Sequence, residues 1–110
     1  MRKRIQYRQG DVLVQSVDVI PAKAKAKPRD GQDRIVLAYG EVTGHAHAIM
    51  EAEATLFGLL SGDAEEMYLE ADGTVTLRHE EHKEISIPPG RYRVIRQREY
   101  APEAIRNVAD

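Results

Sequence analysis

All four histidines of this chain fall in two short runs, His45-Ala46-His47 and His79-Glu80-Glu81-His82. Imidazole suits Zn, Fe, Ni, Mn or Cu, and a carboxylate can complete such a site. On a β-strand, residues i and i+2 share a face with side chains about 6–7 Å apart. His45 and His47 can therefore converge on one ion. Glu51 has the same parity and is a third candidate ligand, provided the chain leans or curls back past Ile49. The second run is harder to place. On a straight strand His79 and His82 point to opposite faces, and they meet only where Glu80-Glu81 turns a corner. The flanks Thr74–Arg78 and Glu84–Ile87 both read as strand, so such a corner fits. An exposed hairpin tip, with both rings in water, is the other reading. The expectation is that at least one of His79 and His82 lies near His45 or His47. The candidate ligands of a divalent transition metal (Zn, Fe, Ni or Mn) are then His45, His47, Glu51, His79 and His82.

Other chemistries leave weaker traces. Cysteine is absent, so disulfides, thiolate metal sites and a Cys nucleophile are all excluded. Ser16, Ser61 and Ser86 sit in no recognisable nucleophile turn, and no glycine-rich phosphate loop occurs. Arg91 and Arg93 share one strand face while Arg96 and Arg98 share the other, which speaks against a single cationic face. Net charge of −2 and a pI near 6.1 exclude a globally basic nucleic-acid binder. Lys23, Lys25 and Lys27 form only a local basic arm.

The elements that must position these residues read as strands. At 110 residues, with 42% hydrophobic and 31% charged, the chain fits one domain, 1–110. Strand material spans 5–20 around a Gly10-Asp11 turn, with Val12, Val14, Val17 and Val19 as β-branched formers. Residues 22–33, rich in Lys, Pro and Gly, read as a mobile basic loop. Ile35–Tyr39 is a short apolar run of the kind a buried strand shows. Residues 41–51 alternate, which places small apolar residues on one face and both histidines on a polar one. Further strands lie around Thr55–Leu60, Met67–Leu69, Thr74–Leu77, Glu84–Ile87 and Arg91–Glu99. Ala71-Asp72-Gly73 predicts a hairpin turn, and Pro102 with Ala104, Ile105 and Val108 predicts a short helix over 102–110. Regularly spaced short strands imply an all-β fold, a small barrel or sandwich, jelly-roll-like.

The segment Gly40, four residues, His45-Ala46-His47, three residues, Glu51, six residues, Gly58 resembles the first motif of the cupin family. The first gap alone departs from that motif, by one residue. The resemblance implies a small jelly-roll barrel in which His45, His47 and Glu51 hold a metal. Of the second cupin motif, Pro88-Pro89-Gly90 matches the Pro-x-Gly turn, but Arg93 stands where the motif has histidine. The chain also resembles small bacterial and phage proteins through Gln9-Gly10-Asp11-Val12, Tyr39 to His45 and Arg96 to Tyr100; no activity transfers with that resemblance.

Three classes of function follow. The first is a metal-binding β domain that binds, or acts on, a small oxygen-rich or anionic ligand. The second is a non-catalytic structural or interaction module, phage-derived and oligomeric. The third, an anion or nucleic-acid binder using the lysine arm and the arginine strand, has the least support. The aromatic-poor core makes association into a homo-oligomer helpful. The cysteine-free composition suits a cytoplasmic protein. No apolar run approaches the ~20 residues needed to span a membrane.

Overall fold

The computed structural model describes residues 5–40 and 44–96. Ten strands occur among them: β1 (Gln6–Gln9), β2 (Val12–Ser16), β3 (Lys25–Ala26), β4 (Ile35–Tyr39), β5 (Ala46–Ile49), β6 (Ala54–Ser61), β7 (Ala64–Ala71), β8 (Val75–Arg78), β9 (Ile85–Ile87) and β10 (Gly90–Arg96). They form a six-stranded sheet in the order β1-β2-β10-β7-β6-β3 and a four-stranded sheet in the order β4-β5-β8-β9. The pairs are antiparallel throughout. The protein is thus all-β, with two packed sheets. The helix expected over 102–110 lies outside the described residues. Among the described residues no helix is long and apolar enough to cross a membrane.

Period-two patterning builds the core. Val12 and Val14, Tyr92 and Val94, and Leu56, Met67 and Leu69 point inward from the larger sheet. Ile35, Leu37, Ile49, Val75, Leu77 and Ile87 answer from the smaller one. A register shift between Val36 and Ala38 marks a bulge in β4, and the intervening Leu37 is buried in the core.

Three local expectations change in the structure. Asp72-Gly73 does not close a hairpin: β7 pairs with β6 and β10, while β8 pairs with β5 and β9. The Asp72 N–H donates to Glu53 O at 3.0 Å as the chain crosses from one sheet to the other. An Asp-Gly pair permits a hairpin, but pairing is decided by which sheet buries Val75 and Leu77. The face of β5 expected to be polar is buried as well, since all four of its residues are buried. Residues 22–33 are also tied down at several points. Lys25 and Ala26 pair with Gly58 and Phe57 as β3, and Lys27 Nζ reaches Glu65 at 2.9 Å. Arg29 Nη2 donates to Glu51 O at 2.7 Å and Ala54 O at 2.9 Å.

Candidate metal centre

Three connections carry the site. The β1–β2 turn supplies Gln9, Gly10 and Asp11. The segment entering β5 supplies His45 and His47. The β8–β9 connection, residues 79–84, supplies His79 through His82. The two histidine runs meet. His79 lies at the middle, with its ring centroid 5.7 Å from His45, 4.3 Å from His47 and 4.7 Å from His82. His47 and His82 stack with centroids 5.7 Å apart and planes 24° apart. The His79–His82 corner required on sequence grounds is formed because β8 and β9 pair as a hairpin around it.

Both sides of the cluster are walled by glycine. A Cβ built on Gly10, whose φ is +59°, would lie 2.9 Å from His82 Nε2 and 3.2 Å from His47 Cε1. One built on Gly40 would lie 3.0 Å from His45 Cβ and 3.2 Å from His79 Nε2. The Gly40 N–H donates to His45 O at 2.8 Å, which anchors the start of the histidine strand.

The tautomer of His47 follows from hydrogen bonds. Gln9 Nε2 donates to Leu77 O at 3.0 Å and Lys83 O at 2.9 Å. Two carbonyl acceptors fix the amide's NH₂ end, so Gln9 Oε1 must face His47 Nδ1, 2.9 Å away. An amide oxygen only accepts, so His47 Nδ1 carries the proton and its Nε2 presents a lone pair. Gln9 is 2% and His47 3% exposed, so neither group has water as an alternative partner. This arrangement, in which an outer partner takes one ring N–H and orients the other nitrogen, is the usual support of a metal-binding histidine. Asp11 Oδ1 lies 3.8 Å from His47 Nε2.

His79 is held differently. Its Nδ1 accepts the Glu81 N–H at 3.0 Å, so the neutral ring carries its proton on Nε2. To ligate an ion as a neutral ring, through either nitrogen, it must give up that contact. His45 Nδ1 is buried and makes no hydrogen bond, with Glu81 Oε2 3.5 Å away. Glu80 Oε1 accepts the Ala46 N–H at 2.9 Å. That bond, with the nearby His45 and His79, holds the Glu80 carboxyl below the ordinary glutamate range. His45, His79 and Glu80 each offer one ligand atom, and these atoms lie within 4.8 Å of one another.

Four of the five residues proposed from sequence thus assemble: His45, His47, His79 and His82. The carboxylate of Glu51 is oriented elsewhere, toward Thr76 and Arg78, whose Nη2 is 4.0 Å away. Burial alone would push its carboxyl up. Hydrogen bonds from Thr76 and from its own backbone, together with Arg78, outweigh burial and hold it below the ordinary value. Sequence reasoning missed Glu80 as a candidate ligand and Gln9 as a partner of His47. Glu80 had a signal, a carboxylate inside a His-x-x-His corner. Gln9 had only its place before the Gly10-Asp11 turn.

A family model described as a domain of unknown function (DUF8820) matches residues 8–97. The chain belongs to the DUF8820 family. The match runs from β1 to the end of β10, so every residue of the cluster lies within it. No curated protein and no solved structure matches the chain.

Proposed function

We propose that this DUF8820 domain binds a divalent transition metal (Zn, Fe, Ni or Mn) at the imidazole cluster, with His45, His79 and Glu80 as its core ligands and His47 and His82 beside them. The observation that carries the reading is the group His45, His79 and Glu80, whose ligand atoms lie within 4.8 Å of one another, together with a His45 Nδ1 that is buried without a hydrogen bond and has Glu81 Oε2 3.5 Å away. A buried nitrogen without a hydrogen bond costs about 1–3 kcal/mol, which an ion would relieve. Three protein ligands leave coordination positions open, as catalytic sites do and closed structural sites do not. The open position suits a ligand oxygen polarised by the ion. The resemblance of Gly40–Gly58 to the cupin motif agrees with a His-x-His metal strand, with Glu80 in place of Glu51 as the carboxylate. The absence of cysteine agrees with a cytoplasmic setting.

The test is elemental analysis of untagged protein at known concentration, followed by titration with Zn²⁺ and Ni²⁺. Near-integral metal is expected, and His79→Ala abolishes uptake. Metal-free protein that also fails to take up either added ion would overturn the reading.

A second reading is a homo-oligomeric interaction module. Its support is a set of exposed large hydrophobics: Leu60 at 76%, Val19, Tyr39 and Met50. Light scattering at high protein concentration separates the two. A mass well above 12.4 kDa in metal-free protein supports the module.

A further inference from the structure

Beside the cluster, the outer face of the four-stranded sheet carries a hollow of about 230 Å³. Its floor is Ala46 and Ala48, which alternate on the side of β5 away from Ile49 and the core. Met50 continues that face as an apolar wall. Two guanidinium groups, Arg34 and Arg78, border it, and His79 and Glu80 close it. Two of the three core metal-ligand candidates are therefore also walls of this hollow.

The small floor is what makes the space. Ala48 pairs with Val36 of β4 and Arg78 of β8, so a larger residue at 48 would fill the hollow from below. The cations at the rim are open to exchange. Arg34 commits its Nε to Asp30 Oδ2 at 2.9 Å, and among the described residues no hydrogen bond engages its terminal nitrogens. Arg78 Nη1 holds Glu84 at 2.7 Å with side chains 44% and 59% exposed, and its Nη2 keeps only a looser contact with Glu51 at 4.0 Å. An exposed ion pair of this kind contributes little, so a ligand carboxylate can take the place of Glu84. Arginine forks pair with carboxylates in a bidentate way.

We propose that this hollow binds a small organic acid. Its carboxylate pairs with Arg78 and Arg34, and its short carbon chain lies on Ala46, Ala48 and Met50. A second oxygen reaches the ion at His79 and Glu80, and only that last contact rests on the metal reading above. The chemistry selects a short dicarboxylate over an inorganic oxyanion, because the alanine floor rewards carbon and the two ends of the hollow reward separate oxygens.

The experiment is calorimetric titration of succinate, with inorganic phosphate as the comparison, into metal-loaded and metal-free protein. Succinate binds the loaded protein and phosphate binds at least tenfold more weakly. Arg78→Ala lowers succinate affinity tenfold or more. Ala48→Leu, which fills the hollow without altering charge, does the same, and both variants keep the wild-type metal stoichiometry. Succinate binding that survives Ala48→Leu, or phosphate binding as tight as succinate, overturns the proposal, as does failure of succinate to bind at all. If the protein takes up no metal, the metal reading fails alone. The hollow is then upheld by weaker, Arg78-dependent succinate binding and overturned by its absence.

Discussion

At the scale of single residues, the decisive group is Gln9. Its amide satisfies two backbone carbonyls and one imidazole inside a region closed to water. Gln9→Ala leaves all three unsatisfied, and each orphan costs about 1–3 kcal/mol. The expected loss is about 3 kcal/mol in urea denaturation, with weaker metal binding because His47 is no longer oriented. Gln9→Glu also fails, since a carboxylate cannot donate to Leu77 O and Lys83 O. Long-range ¹H–¹⁵N spectra report the ring directly. His47 is expected as the Nδ1–H tautomer in the metal-free protein, and an Nε2–H spectrum would contradict the hydrogen-bond argument. Metal affinity should also fall on acidification, because imidazole ligates only when neutral.

At the scale of elements, the β1–β2 turn and the β5 exit each make a prediction. Gly10 has φ of +59°, where a side chain is strained, and a Cβ there would press on His82 Nε2 at 2.9 Å. Gly10→Ala should cost about 1 kcal/mol for the backbone. It should also displace His82, the exposed partner, before it displaces buried His47. Metal affinity then drops more than stability alone explains, which paired calorimetry and denaturation would show. Glu51, at the exit of β5, answers to pH. Its carboxyl is held below the ordinary glutamate value in the folded protein, so the unfolded chain binds the proton more readily. Its contribution is therefore present above the unfolded pKa and is lost as pH falls through the lower folded one. Glu51→Gln should flatten the acid limb of stability against pH while changing the neutral Tm by less than the Gln9 variants do. An unchanged acid limb would remove Glu51 from the list of groups that couple pH to folding.

At the scale of the whole molecule, the cluster bridges the two sheets. Gln9 belongs to the six-stranded sheet, while His47 and the β8–β9 connection belong to the four-stranded one. An ion held by His45, His79 and Glu80 would sit on the four-stranded layer, and Gln9, through its hydrogen bond to His47, couples that layer to the six-stranded one. Binding to the folded state alone adds about 2.7 kcal/mol when free metal is a hundredfold above Kd. Chelation by EDTA should lower Tm by several degrees, and restoring Zn²⁺ should return it. Amide exchange should rise in β1 and in the β8–β9 connection on chelation, while the β6–β7 hairpin, remote in register, stays protected. Equal exchange with and without metal would show that no ion stabilises this end of the molecule.

The amino-acid order by itself determined the class of fold and the membership of the imidazole cluster. Short alternating runs of β-branched residues can bury one face only as strands. A chain with four histidines in two pairs, each beside strand material, has few ways to place them. His45 and His47 are held to one side by the two-residue period, which is local and therefore legible. Only the tertiary structure decided the rest. Gln9 reaches across 38 residues to His47 and across 68 and 74 residues to Leu77 and Lys83, and no local pattern encodes such distances. The crossing after β7, which looked like a hairpin turn, depends on which sheet buries Val75 and Leu77. Which carboxylate stands beside His45 has the same origin. Glu51 shares the parity of the histidines, but at the end of β5 it meets Thr76 and Arg78, while the β8–β9 pairing delivers Glu80 to the Ala46 N–H beside His45.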